Sequence, residues 1–513
     1  MKKFSIALGI SLILLLVVVS SGFSALPGTG WWSALWVQNT SGEPGQVSMI
    51  AYDSQSSSIF DSETFNFNPN KALVYHPGRT LGGSVIGFTS PLPAGFEGSV
   101  VLSSTVESAS IAQLANYASG SVGGTGTASA MYQGVSAEML ATRLLAPTIK
   151  HNYSNATTTM YIQAAGADAD VVVTYTMADG SVYTDPQTIL ANRSFLFDPA
   201  SVGIPSTGCG FDTMTSPCYG SAIITSTTPI AGVLLEHPHS GTPVTFVQAV
   251  RIGTPQDEST IIYVPSVKND FCGSSGCGVA GAAVMNVGTA DANVEITLTV
   301  TKLGINASNV SAGAVYTDSA VIPPGENYNF SKWNNNLGGL PPGTMAAAVI
   351  ESVNGQPLVG SSNDAKTQPN YPGEAKVKYA AFPDELASST AYAPMVKEFL
   401  GVFTGGATVQ NVGTQADFIN IEYHEIGTSR VCVLRTLSPV PVGAAAETNW
   451  VSVTGSSQFS ISGDCTSFSQ LAGSEYSIKT YTDGGQNVIL MVTENTPNGT
   501  LDISRYEGVN KSN

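Results

Sequence analysis

Four stretches of this chain are variants of one phrase, and their spacing limits the fold. VQNTSGEPGQVSMIAYD starts at Val37, IQAAGADADVVVTYTM at Ile162, VMNVGTADANVEITLTV at Val284 and VQNVGTQADFINIEYHE at Val409, at intervals of 125, 122 and 125 residues. Such a period is too long for a solenoid coil. It suits one small β-sandwich of roughly 100 residues plus a connector.

Other parts of the period recur. Three repeats open on a Pro-containing phrase ending in Lys150, Lys268 or Lys397. A Gly-led strand begins at Gly98, Gly220, Gly343 and Gly473. A closing phrase, Ala130 to Val135, resembles Ser504 to Val509, which leads to the expectation of four complete units. Within a unit, Val294, Ile296, Leu298 and Val300 alternate with Asn293, Glu295, Thr297 and Thr299, as do Ile419, Ile421 and Tyr423 with their polar neighbours. Period two puts one face in a core and one in water. Asp179-Gly180 and Asp483-Gly484 are hairpin-turn pairs, because both residues tolerate positive φ. Ser136 to Leu145 is the one candidate for an amphipathic helix.

The expected fold is all-β, with four tandem antiparallel sandwiches after a leader. The boundaries are 1–24, 25–140 (ending in a Gly/Ser-rich, flexible linker at 115–130), 141–254, 255–384 and 385–513. Short junctions suggest that repeats two to four form a stiff rod. On the period and these phrases, the chain resembles bacterial secreted and cell-surface proteins built of tandem immunoglobulin-like or fibronectin-like domains. The resemblance implies architecture; such domains serve many activities.

Lys2 and Lys3, the apolar run Ile6 to Val19, and small Gly22 and Ser24 read as an export signal cut after Ser24. The alternative is an uncleaved membrane anchor; no later segment suits a membrane span. The formal charge of −17 argues against nucleic acid and anionic lipid as partners. In an exported chain the six cysteines pair locally as Cys209/Cys218, Cys272/Cys277 and Cys432/Cys465. Each unstrained bridge is worth about 2–4 kcal/mol.

Sites of chemistry are sparse. His237 and His239 flank Pro238, which suggests a solvated turn more than a metal site, and His151 is expected to be exposed. Gly276 to Gly281 matches G-x-G-x-x-G but leads into a strand, not the helix a pyrophosphate needs. Asp168 and Asp170 could make a weak calcium contact, and no cofactor is expected. Trp32 and Trp36 share a face with polar Gln38, so an outward aromatic face is expected in repeat one, either covered by another part of the chain or binding a protein or glycan. Pro27 lies 12 residues before Asn39, against 17 or 21 in the other repeats. The first strand of repeat one is therefore short or missing, leaving an open edge. The expected function is a non-catalytic exported surface protein, structural or adhesive, with itself, other surface proteins or glycans as partners. The alternative is a glycan- or ligand-binding module using Trp32 and Trp36.

Overall fold

A computed structural model of the chain describes residues 11–18, 26, 30–54, 56, 58–117, 127–209, 215–239, 246–273, 276–367, 374–398, 400, 404–449, 451–495 and 503–510. Lys2, Lys3, Gly22 and Ser24 lie outside them, as does 118–126 of the expected linker. The fold is all-β: strands are arranged in several sheets, with short 3-10 turns and one four-residue α-helical turn, Val451–Thr454, among the described residues. Ser136 to Leu145 is not a helix. Ala137–Met139 makes a single 3-10 turn, and Ala141–Lys150 is already a strand.

One antiparallel pairing pattern occurs four times. The Gly-led strands, Glu97–Ser104, Tyr219–Pro238, Thr344–Ser352 and Ser474–Thr482, each lie between an opening strand and a third strand. The opening strands are Ser11–Val18, Ala141–Lys150, Ile261–Gly273 and Thr390–Glu398. The recurring phrase itself forms the second and third strands, such as Gly276–Asn286 and Ala292–Leu303. The second strand pairs with a penultimate strand, which pairs with a closing strand. The closing strands are Thr127–Gln133, Gln248–Arg251, Glu374–Ala380 and Ile503–Glu507.

The expected linker is thus part of repeat one. Thr127 pairs with Tyr117 and Ala130 with Leu114, so its two ends are hairpin strands.

The two halves of a repeat, separate sheets in repeats one and four and parts of one sheet in repeats two and three, differ in burial. Ala169–Met177 alternates between buried and more accessible residues, as period two requires. Ala156–Ala164 and Thr404–Asn411 are buried at every position. Their second face is covered by another repeat. The closing strand of each repeat packs against those of its two neighbours, and that of repeat four packs against that of repeat one. The four repeats therefore close into a ring around a central axis, not the expected rod. A rod needs one face of every terminal repeat in water. Here a second strand such as GCGVAGAAVMN (276–286) carries small or apolar, uncharged residues on both faces, which stabilise the fold only when covered.

The edge of repeat one is closed. Ser11–Val18 pairs with Glu97–Ser104 along its length and with Val135–Ser136 on its other side. Ser11–Val18, part of the apolar run assigned to the leader, thus occupies the place that Ala141–Lys150 holds in repeat two.

Candidate functional site at the centre of the ring

The backbone register assigns equivalent positions. Val37, Ile162, Val284 and Val409 lie opposite Ser110, Gly232, Gly360 and Leu490. Four residues further along the penultimate strands stand Leu114, Glu236, Asp364 and Glu494. The closing strands bring Met131, Ala249, Lys378 and Arg505 to one equivalent position, and Gln133, Arg251, Ala380 and Glu507 to another two residues on.

Three of the acids meet the Lys that ends the opening phrase of their own repeat. Lys150 is 2.8 Å from Glu236, Lys268 2.5 Å from Asp364 and Lys397 2.9 Å from Glu494. Two acids also receive a cation from the following repeat: Lys378 lies 3.1 Å from Glu236, and Arg505 pairs with Asp364. Burial disfavours the charge on Glu236, but Lys150 and Lys378 outweigh it and hold the carboxyl well below its ordinary range. Asp364 is likewise held low against burial by Arg505 and Lys268. Where repeat four meets repeat one, neutral Gln113 takes the third place: its amide donates to Glu494 at 3.0 Å and its carbonyl accepts from Lys397 at 3.2 Å. Between repeats one and two the same places hold Leu114 and Ala249, buried in one apolar cluster.

The tryptophans belong to this system of seams. Trp36 does face away from its own core, as alternation implies, but that face is closed by repeat four. It is fully buried, and its Nε1 donates to Glu475 at 2.8 Å. Arg79 reaches the same carboxylate at 2.9 Å. Trp32 is half-buried against the same cluster, its ring 4.7 Å from that of His76. Of the alternatives for this outward face, covering by another part of the chain holds at Trp36. The equivalent Tyr161 donates to Glu97 across the first seam at 2.7 Å. A large donor aromatic at this position joins one repeat to the preceding one.

Near the axis, residues from all four repeats line a cavity of about 370 Å³. They include the whole equivalent set Gln133, Arg251, Ala380 and Glu507. Arg251 is committed to Asp257 by two bonds of 2.7 and 2.6 Å. Glu507 is 5% exposed; one carboxylate oxygen accepts from the Ala380 N–H and the other, Oε2, has no hydrogen-bond partner among the described residues. Burial raises its pKa. Sequence reading missed this set, because only two of its four members, Gln133 and Glu507, lie in closing phrases that resemble each other.

The remaining candidates are structural in their contacts. The cysteines are bonded as Cys209–Cys218, Cys272–Cys277 and Cys432–Cys465. Gly276 to Gly281 lies in a strand. His151 is buried, not exposed, with Nδ1 2.6 Å from the Ile204 carbonyl. His237 is also buried, so Pro238 does not mark the solvated turn expected there. Asp168 and Asp170 accept from the Ala191 N–H and the Thr188 hydroxyl, each at 2.8 Å. Among the described residues, no three His, Cys, Asp or Glu side chains are grouped to hold a metal, and no helix is long and apolar enough to cross a membrane.

Comparison with protein-family models and with curated proteins gives no match. Among solved structures, the chain is similar to the one titled "Crystal Structure of Thermotoga maritima 1070", at 14% identity, over 25% of this chain and 96% of that one, with a TM-score of 0.19. At that score the likeness carries no argument about function.

Proposed function

We propose that this chain is a non-catalytic exported protein of four immunoglobulin-like sandwiches, a closed ring that serves at the cell surface as a structural or adhesive body. The observation that carries this reading is the seam between repeats four and one. It commits Trp36, Gln113, Lys397 and Glu494 to holding the ends of the chain together, so the repeats act as one rigid unit. Three disulfides suit an oxidising compartment. The lysines, Arg505 and acids at the charged seams form ion pairs with each other, an arrangement suited to holding shape. The glycan-binding alternative loses its platform with the burial of Trp36.

Export with cleavage after Ser24 would also remove Ser11–Val18. The place beside Glu97–Ser104 would then be open, and an open strand edge pairs with another chain. The mature form would meet its own kind, or other surface proteins, through repeat one. Cell fractionation with surface proteolysis, and light and X-ray scattering on residues 25–513, test the reading together. A surface-exposed compact particle that self-associates, and is returned to monomer by a peptide of residues 11–18 flanked by lysines, is the expected result. A cytoplasmic protein, an extended string of four beads, or turnover of a substrate would reject it.

A further inference from the structure

The two most exposed large hydrophobic side chains among the described residues are Ile305, 80% exposed, and Trp333, 74% exposed. The residue beside each of them bonds to Asp270. We infer that this end of repeat three is a binding site for a neutral sugar, with the indole of Trp333 as its stacking surface. This goes beyond the surface role proposed above and does not depend on it.

Lys332 pairs with the Asp270 carboxylate, and the Asn306 amide donates to the Asp270 carbonyl at 2.9 Å. The Ile305 N–H donates to the Cys272 carbonyl at 2.8 Å, and the Cys272–Cys277 bridge closes that hairpin. The turn that carries Trp333 is equally fixed. The amides of Asn334 and Asn336 donate to the Asn329 carbonyl at 2.7 and 3.0 Å, and the Ser331 N–H donates to Asn336 Oδ1 at 2.7 Å. Leu337 and Leu340 anchor its far end in the hydrophobic core. The indole is therefore held in water by a braced turn, and that preorganisation lowers the cost of binding. The chemistry of the ligand follows from what surrounds the ring. The Lys332 ammonium lies 5.0 Å from the indole centroid, so the ring's attraction for a cation is already used. A formal charge of −17 disfavours an anion. A neutral ligand is left. A large aromatic side chain offers about 150–250 Å², whereas a specific protein interface takes about 800 Å² from each side. One indole with one neighbouring aliphatic group matches a sugar ring or two, not a folded partner. The C–H face of a pyranose stacks on the negative face of an aromatic ring, and its hydroxyls can bond the half-exposed Asp270 and Lys332 at the edge.

The test is titration of the intact oxidised chain with cellohexaose and with chitohexaose, both neutral chains of pyranose rings, and with polygalacturonate as the acidic control. Tryptophan fluorescence and calorimetry give the readout. Saturable binding of a neutral oligosaccharide with a blue shift in emission, and no binding of polygalacturonate, is expected. Trp333→Ala should weaken binding about tenfold or more and remove the shift, with unfolding temperature unchanged because the ring is exposed. Trp333→Phe should keep part of the affinity. Asp270 has a φ of 46°, which Asn also tolerates, so Asp270→Asn should fold and lower affinity a few-fold. No saturable binding of either neutral oligosaccharide up to millimolar concentration, equal binding of polygalacturonate, or undiminished binding in Trp333→Ala would overturn the inference. Self-association that Trp333→Ala abolishes would overturn it too, by making this face a contact between copies.

Discussion

The seam between repeats one and two and the seam between repeats three and four use equivalent backbone positions with opposite chemistry. The first places Leu114 and Ala249 in an apolar cluster and adds hydrogen bonds from Tyr161 to Glu97, from Ser99 to the Asn192 carbonyl and from Arg193 to the Asp53 carbonyl. The other places Asp364 between Lys268 and Arg505. The difference teaches that shape, set by the register, permits the ring, while charge distinguishes one seam from the next. A buried ion cluster is weak evidence of stability, because desolvation offsets most of its attraction. With an apolar seam in one place and charged ones in others, a repeat docked in the wrong order would bury an unmatched charge. We regard that as a hypothesis of ordered assembly, and substitutions at the two seams test it.

The largest effect is expected from Asp364→Ala, which leaves two buried cations without a partner and should cost about 3–5 kcal/mol in denaturant unfolding. Unchanged stability would show that this seam is open in solution. Trp36→Ala should cost about 3–5 kcal/mol through lost packing and should be the variant that lets the ring open, read as an increased radius of gyration. Converting Lys150, Glu236 and Lys378 together to Val, Leu and Ala copies the apolar seam at the charged one. It should be neutral or stabilising by about 1–4 kcal/mol and should raise the yield of misassembled rings on refolding. A large loss of stability would mean that the charges, not the shape, hold the seam. Tyr161→Phe should have the smallest effect, about 1 kcal/mol, since only one hydrogen bond is lost.

Acid should separate the two kinds of seam as well. Glu236 and Asp364 have depressed carboxyl pKa values when folded, so their contribution is present above the ordinary carboxylate range and is lost as pH falls through the folded values. Glu398 works in the opposite direction. Burial, opposed by the hydroxyl of Ser452, pushes its carboxyl up to about 8. Its contribution is complete below the ordinary Glu value and is lost as pH rises through about 8. Hydrogen exchange should therefore show the charged seams loosening first in acid and repeat four loosening first in mild base, with Glu398→Gln abolishing the second effect.

Much of the fold was legible because it depends on local patterns. Alternation in ANVEITLTV (292–300) marks a strand with one wet face, and the structure shows that strand half-accessible. The same rule placed Trp36 on the far side of its own sheet, and left open whether another part of the chain or a partner covers that side; the structure covers it with repeat four. A signal was present. Gly276–Asn286 carries small or apolar residues on both faces, as a doubly covered strand does, and the three Lys of the opening phrases recur on the face that meets the acids. What no local pattern carries is which surface covers which.

The sequence by itself determined the period, the β character and the local pairing of the cysteines, since each follows from contacts between residues close along the chain or from the two-residue repeat of a strand. Tertiary structure alone decided that the array closes into a ring, that Trp36 is a seam residue and that Glu507 is buried near the axis. Those outcomes depend on complementarity between surfaces hundreds of residues apart, as between Trp36 and Glu475, and the energy of such a contact exists only once both surfaces have formed.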